Sequence, residues 1–340
     1  MNADFAPDWP NVDLGHVENR SFGKRLIKLV GGLRRILSAP NGVRKCDVII
    51  ARNFDLLLIA WAARRVLRRR KTPLVYECLD IHGLFTRSDT VGAVMRWCER
   101  RLLASTQLLI VSSPGFVSHY FDAVQGYRGP VSIIENKLWF DGAPAPRPSS
   151  ASSKADGEPL TLGWVGSIRC KPSLDILMRA ADQMGPDVQI AIHGNVHHHA
   201  LPGFDQAVAE RDNVTYHGAY SYPDDLARIY ASCDLVWAQD LWQRGANSDW
   251  LLPNRIYEAS WFGCPSIAVA DTETGRRVKA DGLGIAIPAP SADDLVQALR
   301  MLSRQDIEAL SAAILAKPDE DFRLRPEDID AALRPVLPRP

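Results

Sequence analysis

The chain has 340 residues, of which 46% are hydrophobic and 24% are charged, and its formal net charge is +0. This length favours two domains, and the composition excludes a disordered or fibrous chain. The six cysteines are scattered without a C-x-x-C pair, which argues against a disulfide framework or a zinc site and favours a reduced, cytoplasmic protein. We expect no signal peptide, because the first residues are acidic, polar and proline-containing rather than basic and then apolar. We expect no membrane-spanning helix, because no apolar run approaches ~20 residues.

Charge is unevenly distributed along the chain. Residues 1–150 carry 22 basic and 13 acidic side chains, whereas residues 151–340 carry 18 and 27. Residues 20–37 have the pattern of an amphipathic helix with a basic face, and a predicted helix over 54–70 ends in six cations within residues 64–71. Such segments are typical of proteins that lie on an anionic membrane surface, although a core-packed helix with a solvated basic face has the same pattern. No nucleic-acid partner is expected.

The first half of the chain alternates between strand and helix patterns. Strands are predicted over 46–51, 73–78, 108–112 and 131–136, and helices over 54–70, 95–105 and 116–123. This alternation predicts a parallel sheet. Asp80 and His82 follow the second strand, and the carboxyl ends of parallel strands are where open α/β sheets bind ligands. Residues 1–19 show no strand pattern, so either the N-terminal domain lacks its first strand unit or the recorded start lies downstream of the true one.

The second half begins after a segment typical of a linker. Residues 141–159 are rich in proline, serine, alanine and glycine, so we expect one domain over 1–145 and another over 160–318. The latter opens with a predicted strand over 160–165, the turn Gly166-Ser167 and a helix from Pro172, with Arg169 and Lys171 between them. Such a unit can hold a diphosphate between backbone N–H groups and cations. An ordinary strand-to-helix turn with surface cations is the alternative.

Further elements are predicted throughout the second half. Strands are expected over 188–193, 214–217, 233–238 and 266–269, and helices over 222–232, 254–262, 291–303, 307–315 and 328–333. Pro253 and Asn254 can open the 254–262 helix, since asparagine side chains cap free N–H groups. Glu258 is the single carboxylate in this mostly apolar segment. An acid near a helix N-terminus can also simply complement the helix dipole. The histidines at 197–199 lack further ligands at zinc-site spacing, so no metal site is expected.

Glu258, Gly263 and Pro265 match, position for position, the donor-site segment E-A-x-A-x-G-x-P-V of family 4-like retaining glycosyltransferases. The chain resembles that family over about residues 73–300. The resemblance implies the GT-B fold: two Rossmann-like α/β domains whose parallel sheets face a cleft, with residues 319–340 crossing back to the first domain.

The resemblance also implies roles for individual residues. Glu258 would bind the ribose hydroxyls of a nucleotide sugar, Arg169 and Lys171 would hold its diphosphate, and Asp80 or His82 would reach the sugar or the acceptor. The expected donor-binding residues are Gly166, Ser167, Asp249, Asn254, Arg255 and Glu258, and the expected catalytic residues are Asp80, His82, Arg169 and Lys171. Two positions depart from the family pattern: Trp250 replaces an acid for which Asp249 could substitute, and Ser167 replaces an arginine for which Arg169 could substitute.

The implied enzyme is a hexosyltransferase that uses a UDP- or GDP-sugar, retains the anomeric configuration and needs no metal or cofactor. The first half also resembles exopolysaccharide assembly enzymes of the succinoglycan type. That implies a lipid-linked or oligosaccharide acceptor and a cytoplasmic protein peripheral to the inner face of the plasma membrane. Two alternatives stay open: a nucleotide-sugar 2-epimerase, which shares the fold, and a non-catalytic nucleotide-binding subunit, for which Trp250 and the missing N-terminal glycine-rich turn would argue.

Overall fold

The structure is a computed structural model that describes residues 11, 14, 22–39, 41–150 and 157–337, without the side chains of 22–28 and 41. These residues form two compact units. The first contains the described residues up to Ser112, residues 120–134 and those from Asp330 onward, and the second contains residues 113–119 and 135–329. The linker expected over 141–159 lies within the second unit, partly outside the described residues.

The first unit is built on four parallel strands in the order β1-β2-β3-β4. They are β1 (Ile49–Arg52), β2 (Leu74–Cys78), β3 (Leu108–Val111) and β4 (Val131–Ile133). The central strands β2 and β3 are almost entirely buried, which explains their mainly apolar sequences. Before β1, the described residues form helices and no strand.

In the described residues, five helices precede β1 or lie between β1 and β3. They are α1 (Phe22–Ser38), α2 (Asn41–Lys45), α3 (Asn53–Val66), α4 (Gly83–Thr86) and α5 (Thr90–Leu103). α3 leads from β1 to β2 and α5 leads towards β3, and because these strands are parallel the two helices run in the same direction. α1 packs on α3, and α3 packs on α5.

The second unit contains a six-stranded parallel sheet in the order β7-β6-β5-β8-β9-β10. Its strands are β5 (Leu160–Val165), β6 (Val188–His193), β7 (Val214–Tyr216), β8 (Leu235–Trp237), β9 (Ser266–Val269) and β10 (Gly284–Ile287). Starting at β5 in the middle of the sheet, the chain adds β6 and β7 on one side. It then returns to place β8 on the other side of β5, followed by β9 and β10. This is the doubly wound Rossmann order, and its reversal creates a crevice outside the carboxyl ends of β5 and β8.

The helices of the second unit cover both faces of this sheet. They are α6 (Pro114–Phe116), α7 (Lys171–Met184), α8 (Phe204–Ala209), α9 (Leu226–Ser232), α10 (Asn247–Trp250), α11 (Asn254–Trp261), α12 (Glu273–Ala280), α13 (Ala292–Met301) and α14 (Arg304–Leu315). The expectation that Asn254 caps α11 is wrong. Pro253 occupies the N-cap position and Asn254 is already the first helical residue, so no side chain caps this helix in the described structure.

The last helix, α15 (Pro326–Leu333), begins in the second unit and ends in the first. Leu333 and the following Val336 pack against Val75 and Leu108 in the core of the first unit. The Ser132 hydroxyl donates a hydrogen bond to the Ala332 carbonyl oxygen over 3.1 Å. The C-terminal segment therefore completes the packing of the first unit.

Candidate functional site

The crevice of the second sheet is bordered by the turn after β5. Gly166 in this turn has a φ of +114°, which glycine adopts without strain. Its N–H donates a hydrogen bond to the carbonyl oxygen of His193, at the end of β6, over 2.9 Å. Gly194 follows with a φ of +135°, and a Cβ there would overlap the Gly166 carbonyl oxygen. Two glycines thus let the turns after β5 and β6 lie directly against each other.

Arg255 lies at this crevice. Its Nη1 donates to the carbonyl oxygen of Trp237, the last residue of β8, over 3.3 Å. Its Nε lies 3.6 Å from the position that a Cβ on Gly166 would occupy. One half-buried guanidinium therefore contacts the end of β8 and lies beside the turn after β5, the two strands at which the sheet order reverses. The position is suited to an anion, because open α/β sheets bind ligands there and an arginine offers several N–H donors.

Glu258 lies one turn further along α11. Its side chain is only 5% exposed, and Oε2 accepts a hydrogen bond from the Tyr230 hydroxyl over 2.9 Å. Burial raises the pKa of the Glu258 carboxyl, and the Tyr230 hydrogen bond and the Arg255 charge partly oppose that rise. Burial, followed by the charge of Glu258, raises the pKa of Tyr220 and of Tyr222 to about 12. A carboxylate surrounded by tyrosines therefore adjoins the arginine of the crevice.

The loop after Gly166 brings together polar side chains from two turns. Ser167 Oγ lies 2.9 Å from Nε2 of His197, which follows β6. Burial and then the nearby charge of Arg169 lower the pKa of His197. Ser167 and Arg169, both expected in the donor site, are exposed on this loop.

Two further histidines end the neighbouring strands. His193 and His217 stack with ring centroids 4.3 Å apart and an interplanar angle of 5°. His193 is buried, and burial together with the charges of His217 and Arg228 lowers its pKa to about 4. The His193 ring is therefore neutral at pH 7 and contributes no positive charge to this edge of the sheet.

A buried glutamine joins the ends of β8 and β9. Oε1 of Gln239 accepts hydrogen bonds from the Val269 N–H over 3.0 Å and from the Thr272 hydroxyl over 3.1 Å. Gln239 is fully buried, and a buried amide with several bonds fixes the local backbone. The β8 end that Arg255 contacts is therefore held rigidly.

Two expected residues of the second unit have partners of their own. Lys171, on the first turn of α7, forms an ion pair with Asp175 and is half exposed. It lines a cavity of about 390 Å³ together with Arg179 and Glu210. Asp249 accepts from Nη1 of Arg244 over 2.7 Å and from the Gly245 N–H over 2.8 Å. That Lys171 reaches the same diphosphate as Arg169 and Glu258, and that Asp249 contacts the donor, both stay predictions.

Asp80 and His82 lie in the first unit, in the loop after β2, and both are exposed. His82 occupies the N-cap of α4, and its Nδ1 accepts a hydrogen bond from the Leu84 N–H over 3.2 Å. In the neutral ring this hydrogen bond places the proton on Nε2. His82 therefore has a structural role of its own, beside which its expected catalytic role stays a prediction.

The sequence interpretation missed the polar residues that support Glu258 and Arg255. Tyr230 falls in a predicted helix, and only its place beside Leu226 and Ile229 on the buried face of α9 indicates that it points inward. The carbonyl oxygen of Trp237 and the amide of Gln239 have no sequence pattern of their own. Both groups reach the site only because of the order of the strands in the sheet, and an amphipathic sequence pattern does not predict that order.

The described residues contain no group of three or more histidine, cysteine, aspartate or glutamate side chains arranged to hold a metal ion. No helix in the described ranges combines the length and apolar composition that crossing a membrane requires.

Comparison with known proteins gives matches along most of the chain. A glycosyl transferase 4-like domain matches residues 8–137, and the glycosyl transferases group 1 family matches residues 159–305. The succinoglycan biosynthesis protein ExoL of Rhizobium meliloti (strain 1021) is 36% identical over 294 residues, which cover 86% of this chain and 73% of that protein.

Solved structures show the same fold. Sucrose-phosphate synthase from Thermosynechococcus elongatus superposes with a TM-score of 0.70 at 14% identity, covering 95% of this chain and 81% of that one. Anabaena HepE, in complex with UDP and glucose, gives 0.64 at 17% identity, covering 88% of this chain and 80% of that one. The predicted α/β architecture with two parallel sheets is confirmed.

Proposed function

The chain belongs to the GT-B glycosyltransferases with a 4-like N-terminal and a group 1 C-terminal domain, and on this premise we propose that it is a retaining hexosyltransferase of exopolysaccharide synthesis. It takes a sugar from a nucleotide diphosphate sugar and transfers it to a lipid-linked saccharide. The observation that carries the proposal is the position of Arg255 and Glu258, one turn apart on α11, beside the crevice of the second sheet.

Arg255 supplies the positive charge that the donor diphosphate needs. Departure of the nucleoside diphosphate leaves negative charge on its phosphate oxygens, and a fixed guanidinium at that point stabilises the transition state. Arg255 is held in place by the Trp237 carbonyl oxygen, and Gly166, which carries no side chain, lies beside it. Arg169 and Ser167 on the adjoining loop complete the cradle in this proposal.

Glu258 binds the ribose. An ionised carboxylate can accept from two vicinal hydroxyls, and Arg255 and Tyr230 both favour its ionised form. Because Tyr230 occupies Oε2, the carboxylate has a fixed rotamer, which lowers the entropy lost on binding. The donor is a UDP- or GDP-sugar, and the cations of the site take the place of a metal.

The acceptor side rests on the relative and on the first unit. ExoL is named for succinoglycan biosynthesis, and the corresponding substrate here is a growing saccharide on a lipid carrier. His82, with its proton on Nε2, and Asp80 lie at the carboxyl end of β2, where they can contact the sugar or the accepting hydroxyl. The enzyme works in the cytoplasm, at the inner face of the plasma membrane.

A binding experiment tests the donor site. Isothermal titration of the protein with UDP-glucose and with GDP-mannose should give one clear binder, and Arg255→Gln should weaken that binding by about tenfold or more, as expected for a charge-assisted contact. Arg276→Gln, which removes an exposed arginine of α12 paired with Glu273, is the matched control and should bind as wild type does.

Two results would contradict the proposal. One is equal donor binding by Arg255→Gln and wild type, which would show that the diphosphate does not bind beside Arg255. The other is an epimerised nucleotide sugar after incubation with donor alone, which would replace transfer by epimerisation. Retention is tested separately by the anomeric proton coupling of the product.

A further inference from the structure

A second cavity lies in the first unit, remote in sequence from the crevice residues. It has a volume of about 770 Å³ and lies among α1, α3 and α5. Its lining is mainly apolar and includes Leu29, Phe54, Leu58, Trp61, Met95 and Trp97. We call this cavity the tryptophan groove. Trp97 is 54% exposed and Val94, one turn earlier on α5, is 56% exposed, which is unusual for large apolar side chains and marks an interaction surface.

Helices α3 and α5 share the sequence pattern W-x-x-R-R. Residues 61–65 of α3 read W-A-A-R-R and residues 97–101 of α5 read W-C-E-R-R. Trp61 is the ninth residue of α3 and Trp97 the eighth of α5, and both helices have 14 residues. Because α3 and α5 run in the same direction and pack together, the two copies line one groove.

The first arginine of each copy belongs to the fold. Arg64 is buried and donates to the carbonyl oxygens of Thr72 over 2.7 Å and Ser105 over 3.0 Å. Arg100 donates to the carbonyl oxygens of Val124 and Gln125, over 3.1 Å in each case. These bonds satisfy backbone acceptors between elements, so part of the basic cluster at 64–71 is structural.

The second arginine of each copy lies over the tryptophan of the preceding turn. The guanidinium carbon of Arg65 is 4.1 Å from the Trp61 ring centroid, and that of Arg101 is 5.3 Å from the Trp97 centroid. Both arginines are exposed and both line the groove. The cation–π contact holds each charge at the edge of an apolar surface.

We propose that the tryptophan groove takes a hydrocarbon chain of an anionic membrane lipid, with Arg65 and Arg101 facing its phosphate. The apolar lining matches the chain and the two cations match the headgroup, and an anionic lipid combines both in one molecule. Tryptophan beside arginine is suited to the membrane interface, where one part of the side chain is apolar and the other wet. The exposed Arg68, Arg70 and Lys71 at the end of α3 add to the attraction for anionic headgroups.

This inference deepens the acceptor side of the proposed function, since a lipid-linked substrate is met at a membrane surface. It does not depend on the donor site. Vesicle binding and nucleotide-sugar binding are measured separately, so the failure of one leaves the other standing.

The test uses the full chain and vesicles of phosphatidylcholine with or without about 30 mol% phosphatidylglycerol, a proportion that gives a strongly negative surface potential. Acyl chains brominated near the headgroup quench only tryptophans in contact with them. We expect binding to the anionic vesicles, quenching of the wild type, and loss of most of that quenching in Trp97→Ser. The control is Trp242→Ser, which removes a 44% exposed tryptophan of the second unit and should behave as wild type.

The cations are tested in the same vesicles. Arg65→Gln and Arg101→Gln should each weaken binding about fivefold, the usual effect of one cation at an anionic surface. The control is Arg179→Gln, which alters an exposed arginine of α7. The melting temperature of each variant shows that it is folded. The proposal is overturned if the folded wild type ignores anionic vesicles, or if Trp97→Ser retains full binding and quenching while a triple change of Arg68, Arg70 and Lys71 to glutamine abolishes both.

Discussion

Replacing Glu258 by glutamine separates two effects of this carboxyl: the lower stability of the folded protein that its burial causes, and the contribution it makes to donor binding. Burial holds the pKa of this carboxyl above its ordinary value of 4.5. A raised folded-state pKa contributes stability below the unfolded pKa, and that contribution is lost as the pH rises through the folded value. At pH 7.5, well above the ordinary pKa of a glutamate, this buried carboxyl therefore makes the folded wild type less stable than it is at low pH. Glutamine avoids that loss of stability, so the melting temperature without donor should be unchanged or higher.

When the donor is bound, the wild type should gain more stability than Glu258→Gln. A hydrogen bond to a charged group contributes about 1.5–3 kcal/mol, so the variant should lose about 2 kcal/mol of donor affinity, or roughly 30-fold. At a donor concentration of about 100 times the wild-type Kd, binding stabilises the wild type by about 2.7 kcal/mol and the variant by only about 0.9 kcal/mol. These values correspond to rises in Tm of about 5 °C and about 2 °C.

The assay is a thermal shift at pH 7.5 with and without the nucleotide sugar that the titration selects. The control is Glu210→Gln, which neutralises an exposed acid of the same unit and should leave both melting temperatures as in the wild type. A Glu258→Gln protein that keeps the full donor-induced shift would refute the role of Glu258 in ribose binding. A variant that melts several degrees lower without donor would refute the account of its burial.

Three other changes test the surroundings of the site. Tyr230→Phe removes the hydrogen bond to Glu258 and should raise the pKa of that carboxyl further, so donor titrations should show about fivefold weaker binding that worsens at lower pH. Gly194→Ala forces a Cβ onto the Gly166 carbonyl oxygen and should cost about 2–3 kcal/mol in urea unfolding. His193 has its pKa lowered from 6.5 to about 4, so stability should fall by up to about 3 kcal/mol as the pH drops from 6.5 to 4; His193→Gln should flatten that slope.

Five of the six strands of the second sheet could be predicted from the sequence, whereas β10 (Gly284–Ile287) was not predicted. The bounds of β5, β6 and β9 agree with the predicted 160–165, 188–193 and 266–269. Each is a short apolar run between turn residues, and a central parallel strand buried on both faces requires that composition. The helix starting at Asn254 was also predicted, but its cap was not, because Pro253 occupies the N-cap position without offering a side-chain acceptor.

The candidate site could be predicted only in part. Glu258 was found from its spacing to Gly263 and Pro265, but its tyrosine neighbours come from α9 and from the loop before it, far away in sequence. Arg255 and Lys171 were both expected in the site. Arg255 lies at the point where the strand order reverses, whereas Lys171 pairs with Asp175 on its own helix and its role stays a prediction. Which cation faces the crevice depends on that order and on the helix face, and neither follows from local composition.

Each unit contains a short segment from the other part of the chain. Residues 113–119 belong to the second unit, where the Ser113 hydroxyl bonds the Trp250 carbonyl oxygen and His119 stacks on the Trp250 ring. Residues 330–337 belong to the first, where Leu333 and Val336 fill its core. A gene divided at codon 135 would therefore yield two fragments that each lack a piece of their own packing. During translation, likewise, the first unit cannot attain its final packing until the ribosome has released the last helix.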